Sequence, residues 1–117
     1  MTPQSLETNL RESPDGPVIE LRGEIDGQAQ EALAAAYAEA PHEGRLLLDF
    51  GAVDYINSTG IALLVGLLAR ARAEHRAVAA AGLSDHYREI FEITRIADFM
   101  TILAEQPSLS TNQQEIR

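Results

Sequence analysis

One apolar stretch in the middle of the chain organises the residues around it. The three leucines at 46–48 are consecutive, which is typical of a strand buried on both faces. The apolar run breaks at Gly51, the chain turns, and a long segment with almost no charge follows. This pattern predicts a buried strand at 45–50, a short loop, and a helix at 58–74.

Ser58 is predicted to cap that helix, because serine is strongly preferred at the N-cap, where its hydroxyl accepts from a free backbone N–H. This structural role is sufficient to explain a serine at the position. Phosphorylation is the functional alternative, since the same amide donors and the helix dipole would stabilise a phosphate of about −1.5 to −2 charge. Thr59 is a second, weaker candidate for the same modification.

The first third of the chain predicts a hairpin followed by a helix. Turn-forming residues at 13–17 separate two extended runs, so 8–12 and 18–22 are expected to pair antiparallel. Asp26 is the N-cap candidate for a helix at 28–40. The apolar positions of that helix share one face: 29, 32, 33, 36, 37 and 40.

The C-terminal third predicts two more elements and a tail. Residues 78–81 form a short strand of small side chains, and Ser84 caps a helix at 85–94. The apolar residues at 99–103 fit either a strand or a helical turn. The polar residues 105–117 are expected to form a mobile tail.

The order of these elements predicts an α/β fold. Strands that alternate with helices pair in parallel, and the opening hairpin adds an antiparallel strand. We therefore expect a small mixed sheet of four to five strands, with its helices mainly packed on one face. The length fits a single domain over residues 1–117, with an ordered core at about 8–104.

The charge balance limits the classes of partner. Eighteen acidic residues against nine basic ones give a formal net charge of −9. Such a charge repels nucleic-acid phosphates and anionic membranes, so we expect neither as a partner, whereas a basic protein surface is favoured. The apolar fraction of 45% is that of a folded globular protein.

The sequence shows no targeting signal, and it predicts a cytoplasmic protein. The first twelve residues are polar and acidic, without the apolar segment of a signal peptide. The longest apolar run is far shorter than the roughly 20 residues that span a bilayer. The chain has no cysteine, so it has neither a disulfide framework nor thiol chemistry.

The sequence offers little support for an enzyme or a cofactor. Asp26, Asp49 and Asp54 could meet near the helix start as a carboxylate pair or a magnesium site, but turn and capping roles explain them more simply. No nucleophile–base pair, phosphate-binding glycine loop or dinucleotide motif is present. The histidines have no metal-ligand spacing and are predicted to be solvated: His42, His75 and His86.

The helix at 58–74 is apolar on more than one side, so it is either deeply buried or presents a face to a partner. One predicted stripe faces the core: Ile61, Leu64, Val65 and Leu68. A second set of apolar residues fits either a partner patch or further core packing: Leu63, Leu67 and Ala71.

Two motifs resemble those of STAS domains. Residues 23–26 read Gly-Glu-Ile-Asp after a strand, similar to the family's Gly-Glu-Leu/Ile-Asp signature. Residues 48–61 resemble the family's Asp-Ser-Ser/Thr-Gly phosphorylation loop and its preceding strand. The resemblance covers roughly residues 8–104 in the same element order, and it implies a STAS-like fold.

The resemblance implies the function of an anti-sigma factor antagonist, a non-enzymatic binding module without a cofactor. The unphosphorylated form would bind an anti-sigma factor, which is an ATP-dependent serine kinase that modifies Ser58, and a metal-dependent serine/threonine phosphatase would reverse the reaction. The implied partner-binding residues are Asp26, Asp54, Tyr55, Asn57, Ser58, Thr59, Gly60 and Ile61.

The chain departs from the family pattern at one position. Asn57 stands where the family has Asp directly before the serine, so a charge next to the acceptor hydroxyl is absent. Two other functions stay open on the sequence: a scaffold STAS protein that binds partners without a switch, and a STAS domain that binds a nucleotide or another small ligand.

Overall fold

The computed structural model describes residues 6–103, and the predicted tail at 105–117 lies outside the described residues. The elements follow in this order: β1 Leu6–Ser13, β2 Gly16–Ile25, a 3-10 turn Gly27–Ala29, α1 Gln30–Glu39, β3 Leu46–Ile56, α2 Ser58–Ala73, β4 Val78–Ala81, α3 Asp85–Ile93, a 3-10 turn Ile96–Asp98, and β5 Thr101–Ile102. The residues predicted at 99–103 thus include a short strand.

The described strands form one five-stranded mixed sheet in the order β1-β2-β3-β4-β5. β1 pairs antiparallel with β2, as the turn residues predicted, and the three other neighbouring pairs are parallel. Each parallel pair is joined through one helix, so the alternation of strands and helices in the sequence is the connectivity of the sheet. The predicted fold class is confirmed.

The helices pack on one face of the sheet. Alternate strand residues, such as Ile19 and Leu48, join one large core cluster with Leu33 of α1, Leu64 of α2 and Phe91 of α3. The intervening strand residues form a smaller cluster on the other face, to which the described helices contribute nothing: Val18, Leu47, Ala79 and Ala81, with Leu103 against them. Burial on both faces explains the consecutive leucines at 46–48.

The central strand is longer than the sequence predicted. β3 continues through Gly51 to Ile56, where a loop was expected, because β2 extends beside it as far as the pair Ile25–Ile56. Register shifts in the pairing of β2 with β3 accommodate the break in the apolar pattern at Gly51. There the Asp49 carboxylate accepts a hydrogen bond from the Gly51 N–H at 2.9 Å. The strand therefore carries the chain directly to the start of α2.

The predicted inner stripe of α2 is correct except at Val65, which is 41% exposed. Leu67 and Ala71, for which both a partner patch and core packing were considered, lie in the core, while Leu63 is half-buried. The buried residues of α2 therefore form one continuous face that packs inward, and the opposite side of the helix is exposed.

A polar cluster fixes the C-terminal end of α2 to α1. The Tyr37 hydroxyl donates to Glu74 Oε1 at 2.6 Å, and His42 Nε2 lies 3.0 Å from the same oxygen. The hydrogen bond from Tyr37, followed by the one from His42, lowers the pKa of Glu74 from 4.5 to about 2. Buried Arg76, 8% exposed, donates to the Pro41 carbonyl and lies 5.3 Å from the centre of the Tyr37 ring.

This cluster predicts an acid-sensitive contribution to stability. Because the folded state lowers the pKa of Glu74, its contribution is complete above about pH 4.5 and is lost as the pH falls toward 2. We expect Tyr37→Phe to raise the pKa of Glu74 toward 4.5, measured by carboxyl NMR titration, and to flatten the pH dependence of unfolding between pH 5 and 2. Glu74→Gln serves as the control, since it removes the titrating group. If the pKa of Glu74 stays near 2 in Tyr37→Phe, a contact other than the Tyr37 hydrogen bond is responsible for lowering it.

Candidate functional site

The junction between β3 and α2 is capped by Asn57, one residue before the predicted cap. Asn57 has extended backbone angles, φ −95° and ψ −177°, and its side-chain oxygen accepts from the Gly60 N–H at 2.8 Å. Its carbonyl accepts the first helical bond from the Ile61 N–H at 2.9 Å. The prediction of Ser58 as the N-cap is therefore wrong, because Asn and Ser cap equally well and the asparagine lies at the position with extended backbone.

Ser58 is consequently the first residue of the helix, and it is exposed. Within the described part of the chain its hydroxyl has no hydrogen bond. Thr59 is also exposed, but its methyl group faces the backbone of Gly27, 3.5 Å from where a Cβ would stand there. Of the two hydroxyl residues, Ser58 is thus the less encumbered by the opposite loop.

The first turn of α2 packs against the end of β2. The Asn57 N–H donates to the Ile25 carbonyl at 3.2 Å. A Cβ on Gly60 would lie 1.9 Å from that same carbonyl oxygen, so only glycine permits the approach. This contact brings the second motif of the sequence, around Ser58, beside the first, which ends at Asp26.

Asp26 acts as the predicted N-cap. Its carboxylate accepts from the Gln28 N–H at 2.9 Å and begins the 3-10 turn that leads into α1. A magnesium site of Asp26, Asp49 and Asp54 was the less favoured alternative; among residues 6–103, no three His, Asp or Glu side chains are grouped so that they could hold an ion. The Asp49 carboxylate accepts a hydrogen bond from the Gly51 N–H within β3.

The other predicted partner-binding residues differ in exposure. Asp54 and Tyr55 lie on the last part of β3, and Tyr55 is 51% exposed. Ile61 is half-buried against the core, and Gly60 is buried. The surface near the junction is therefore formed by Asp54, Tyr55, Ser58 and Thr59, while Gly60 acts through its backbone. The three histidines are exposed, as predicted.

Tyr87 of α3 supports the junction, and sequence reasoning missed it. β4 pairs with β3 only as far as Asp49, so the end of β3 extends beyond this neighbour. There the Ile56 N–H donates to the Tyr87 hydroxyl at 3.0 Å. No local pattern in the sequence indicates which backbone group the Tyr87 hydroxyl meets.

These residues and their order match a known family. The family model described as "Mlab, STAS domain" matches residues 8–104. The chain belongs to the STAS domain family. Among the described residues, no helix of this STAS domain is long and apolar enough to cross a membrane.

Named relatives of this STAS domain agree with the family match. The anti-sigma-B factor antagonist of Listeria monocytogenes is 31% identical over 113 residues, which is 92% of this chain and 96% of the relative. The unphosphorylated form of the anti-sigma factor antagonist SpoIIAA superposes with a TM-score of 0.65 at 18% identity, over 87% of this chain and 92% of the other. The phosphorylated form of SpoIIAA from Bacillus gives 0.60 at 19%, over 88% and 96%.

The cap assignment predicts different effects at two neighbouring residues. Asn57→Ala removes the acceptor of the Gly60 N–H and should lower the free energy of unfolding by about 1 kcal/mol. Ser58→Ala should change it by less than about 0.5 kcal/mol, since no described hydrogen bond is lost. Denaturant unfolding measures both, with Asn57→Asp as the variant that keeps the cap. A larger loss for Ser58→Ala than for Asn57→Ala would refute the assignment.

Two glycines of α2 should respond oppositely to alanine. Gly60→Ala forces a methyl group into the Ile25 carbonyl and should destabilise the fold by about 3 kcal/mol or more. Gly66→Ala is the matched control, since nothing lies within 4 Å of its Cβ position, and it should stabilise the helix by up to about 1 kcal/mol. Thermal unfolding distinguishes them, and equal effects at both sites would contradict this packing.

Proposed function

We propose that this STAS domain is an anti-sigma factor antagonist whose binding is switched by phosphorylation of Ser58. In this proposal it is not an enzyme: it binds the anti-sigma factor while Ser58 is unmodified, and the anti-sigma factor is itself the ATP-dependent serine kinase. A serine/threonine phosphatase restores the binding form. The observation that carries the proposal is an exposed Ser58 hydroxyl whose expected capping bond is made by Asn57 instead.

The division of roles between Asn57 and Ser58 makes the modification compatible with the fold. A phosphate on Ser58 breaks no hydrogen bond of the described structure. The first amides of a helix have no partner within the helix, so the N–H groups of Ser58 and Thr59 are suited to a phosphate, whereas that of Gly60 is already bound. Phosphorylation therefore changes the surface without requiring refolding.

The energy of such a switch is sufficient to expel a partner. Two like charges 4 Å apart at an effective dielectric constant of 20 repel by about 4 kcal/mol. About 1.4 kcal/mol corresponds to a tenfold change in affinity. One phosphate that faces an acidic or desolvated partner surface is therefore sufficient to lower the binding affinity about a thousandfold.

The relatives support the same function. A protein that aligns with nearly the whole chain is named an anti-sigma-B factor antagonist. SpoIIAA, of the same fold, is known in a phosphorylated and an unphosphorylated form. Asn57 replaces the acid of the family motif, but it keeps the cap, so the geometry of the acceptor serine does not depend on that charge.

Phosphate transfer tests the proposal. The kinase-type anti-sigma factors of the source organism, each purified, are incubated with the domain and ATP, and intact-mass spectrometry should show one added phosphate. Ser58→Ala should abolish the addition, whereas Thr59→Ala should retain it. The phosphorylated domain should bind about a hundredfold or more weaker, and phosphatase treatment should restore binding.

The outcomes separate the candidate functions. Binding without any phosphate transfer would refute the switch and favour a scaffold STAS protein. A phosphate that persists in Ser58→Ala would place the modification elsewhere. No binding to any of these anti-sigma factors would refute the antagonist function.

A further inference from the structure

A groove runs between α1 and α2 on the outer side of the domain. Its volume is about 240 Å³. Leu33 and Tyr37 form the wall on α1, and Leu63 and Leu67 form the wall on α2. The lining is mostly apolar side chain, and Gly66 belongs to the wall on α2.

Gly66 has no packing role in the described structure. It is exposed in the middle of α2, and nothing lies within 4 Å of the position where a Cβ would stand. Glycine inside a helix costs about 1 kcal/mol relative to alanine. At Gly60 a glycine is needed, because the backbone lies against Ile25. Gly66 has no such contact, so the fold of the single chain does not require the open space beside it.

The groove is continuous with the surface around Ser58. Residues four apart share one side of a helix, so Ser58, Ala62, Gly66 and Arg70 follow one another along α2. Ala62 lines the groove one turn after Ser58, and Arg70 lies at its far end. A protein docked over Ser58 that extends along α2 would therefore cover the groove.

Arg70 places a guanidinium at the far end of the groove, where it forms an ion pair with Glu74. Its side chain is 51% exposed, and its guanidinium carbon lies 4.7 Å from the centre of the Tyr37 ring. Its Nε is 3.4 Å from Glu74, whose other oxygen is held at shorter distances by Tyr37 and His42. Arg70 thus has further N–H donors for a carboxylate from outside.

We infer that the anti-sigma factor inserts an apolar side chain into this groove opposite Gly66 and pairs a carboxylate with Arg70. The inference rests on the proposed function and extends its binding surface along α2. The groove supplies the apolar contact and Arg70 the complementary charge. A buried apolar anchor beside an ion pair is a common source of binding energy at interfaces.

Gly66→Leu tests the groove, because it fills the open space with a side chain that suits a helix. We expect binding to the purified anti-sigma factor to weaken about tenfold or more, with thermal stability unchanged or higher. Ala35→Leu is the control: Ala35 is exposed on α1 but does not line the groove, and the variant should bind as the wild type does. Arg70→Gln should weaken binding about fivefold and reduce its salt dependence.

The result distinguishes this inference from the proposed function. Wild-type binding that is lost on phosphorylation but unaffected by both Gly66→Leu and Arg70→Gln would overturn the groove and leave the antagonist function intact. Equal losses in Gly66→Leu and Ala35→Leu would also overturn it, since an added side chain would then act alike inside and outside the groove. A wild-type domain that binds none of these anti-sigma factors would overturn both.

Discussion

The site depends on the close contact between the first turn of α2 and the last residue of β2. At Gly60 the helix backbone approaches the Ile25 carbonyl so closely that no side chain fits between them. The same carbonyl accepts a hydrogen bond from Asn57, so one oxygen fixes both the end of β3 and the start of α2. Because Asp26 follows Ile25 directly, this contact also sets the spacing between the two loops that form the surface.

That contact explains why the capping residue, Asn57, is not the residue for which we propose phosphorylation, Ser58. With Gly60 held against β2, its N–H points back to Asn57, which supplies the acceptor at 2.8 Å. The hydroxyl of Ser58 then contributes nothing to the described helix start and stays on the surface. A residue on which stability does not depend can be modified and restored repeatedly, whereas modification of a capping side chain would cost about 1 kcal/mol of helix stability each time.

The sequence was sufficient for features that arise from local chemistry or from periodicity. Turn residues predicted the hairpin, helical spacing predicted the buried face of α1, and Asp26 and Ser84 cap where they were expected to cap. The sequence was insufficient for features that depend on tertiary contacts. Asn57 and Ser58 are both good caps, and only the length of β3, set by its pairing with β2, selects between them. The support of Ile56 by Tyr87 joins residues 31 positions apart, which no local pattern reveals.

The helix that carries Ser58 also contains two glycines with different surroundings. Gly60 is required by the contact with β2, and its substitution would act on the fold. Gly66 faces open space in a groove one turn beyond Ala62, and no contact within the described chain requires a glycine there. Hydrogen bonds anchor α2 at its start, through Asn57, and near its end, through the cluster around Glu74. In the proposed function, a partner that binds the groove would also lie over Ser58, so a phosphate added at the start of the helix would act on an interface that extends along α2.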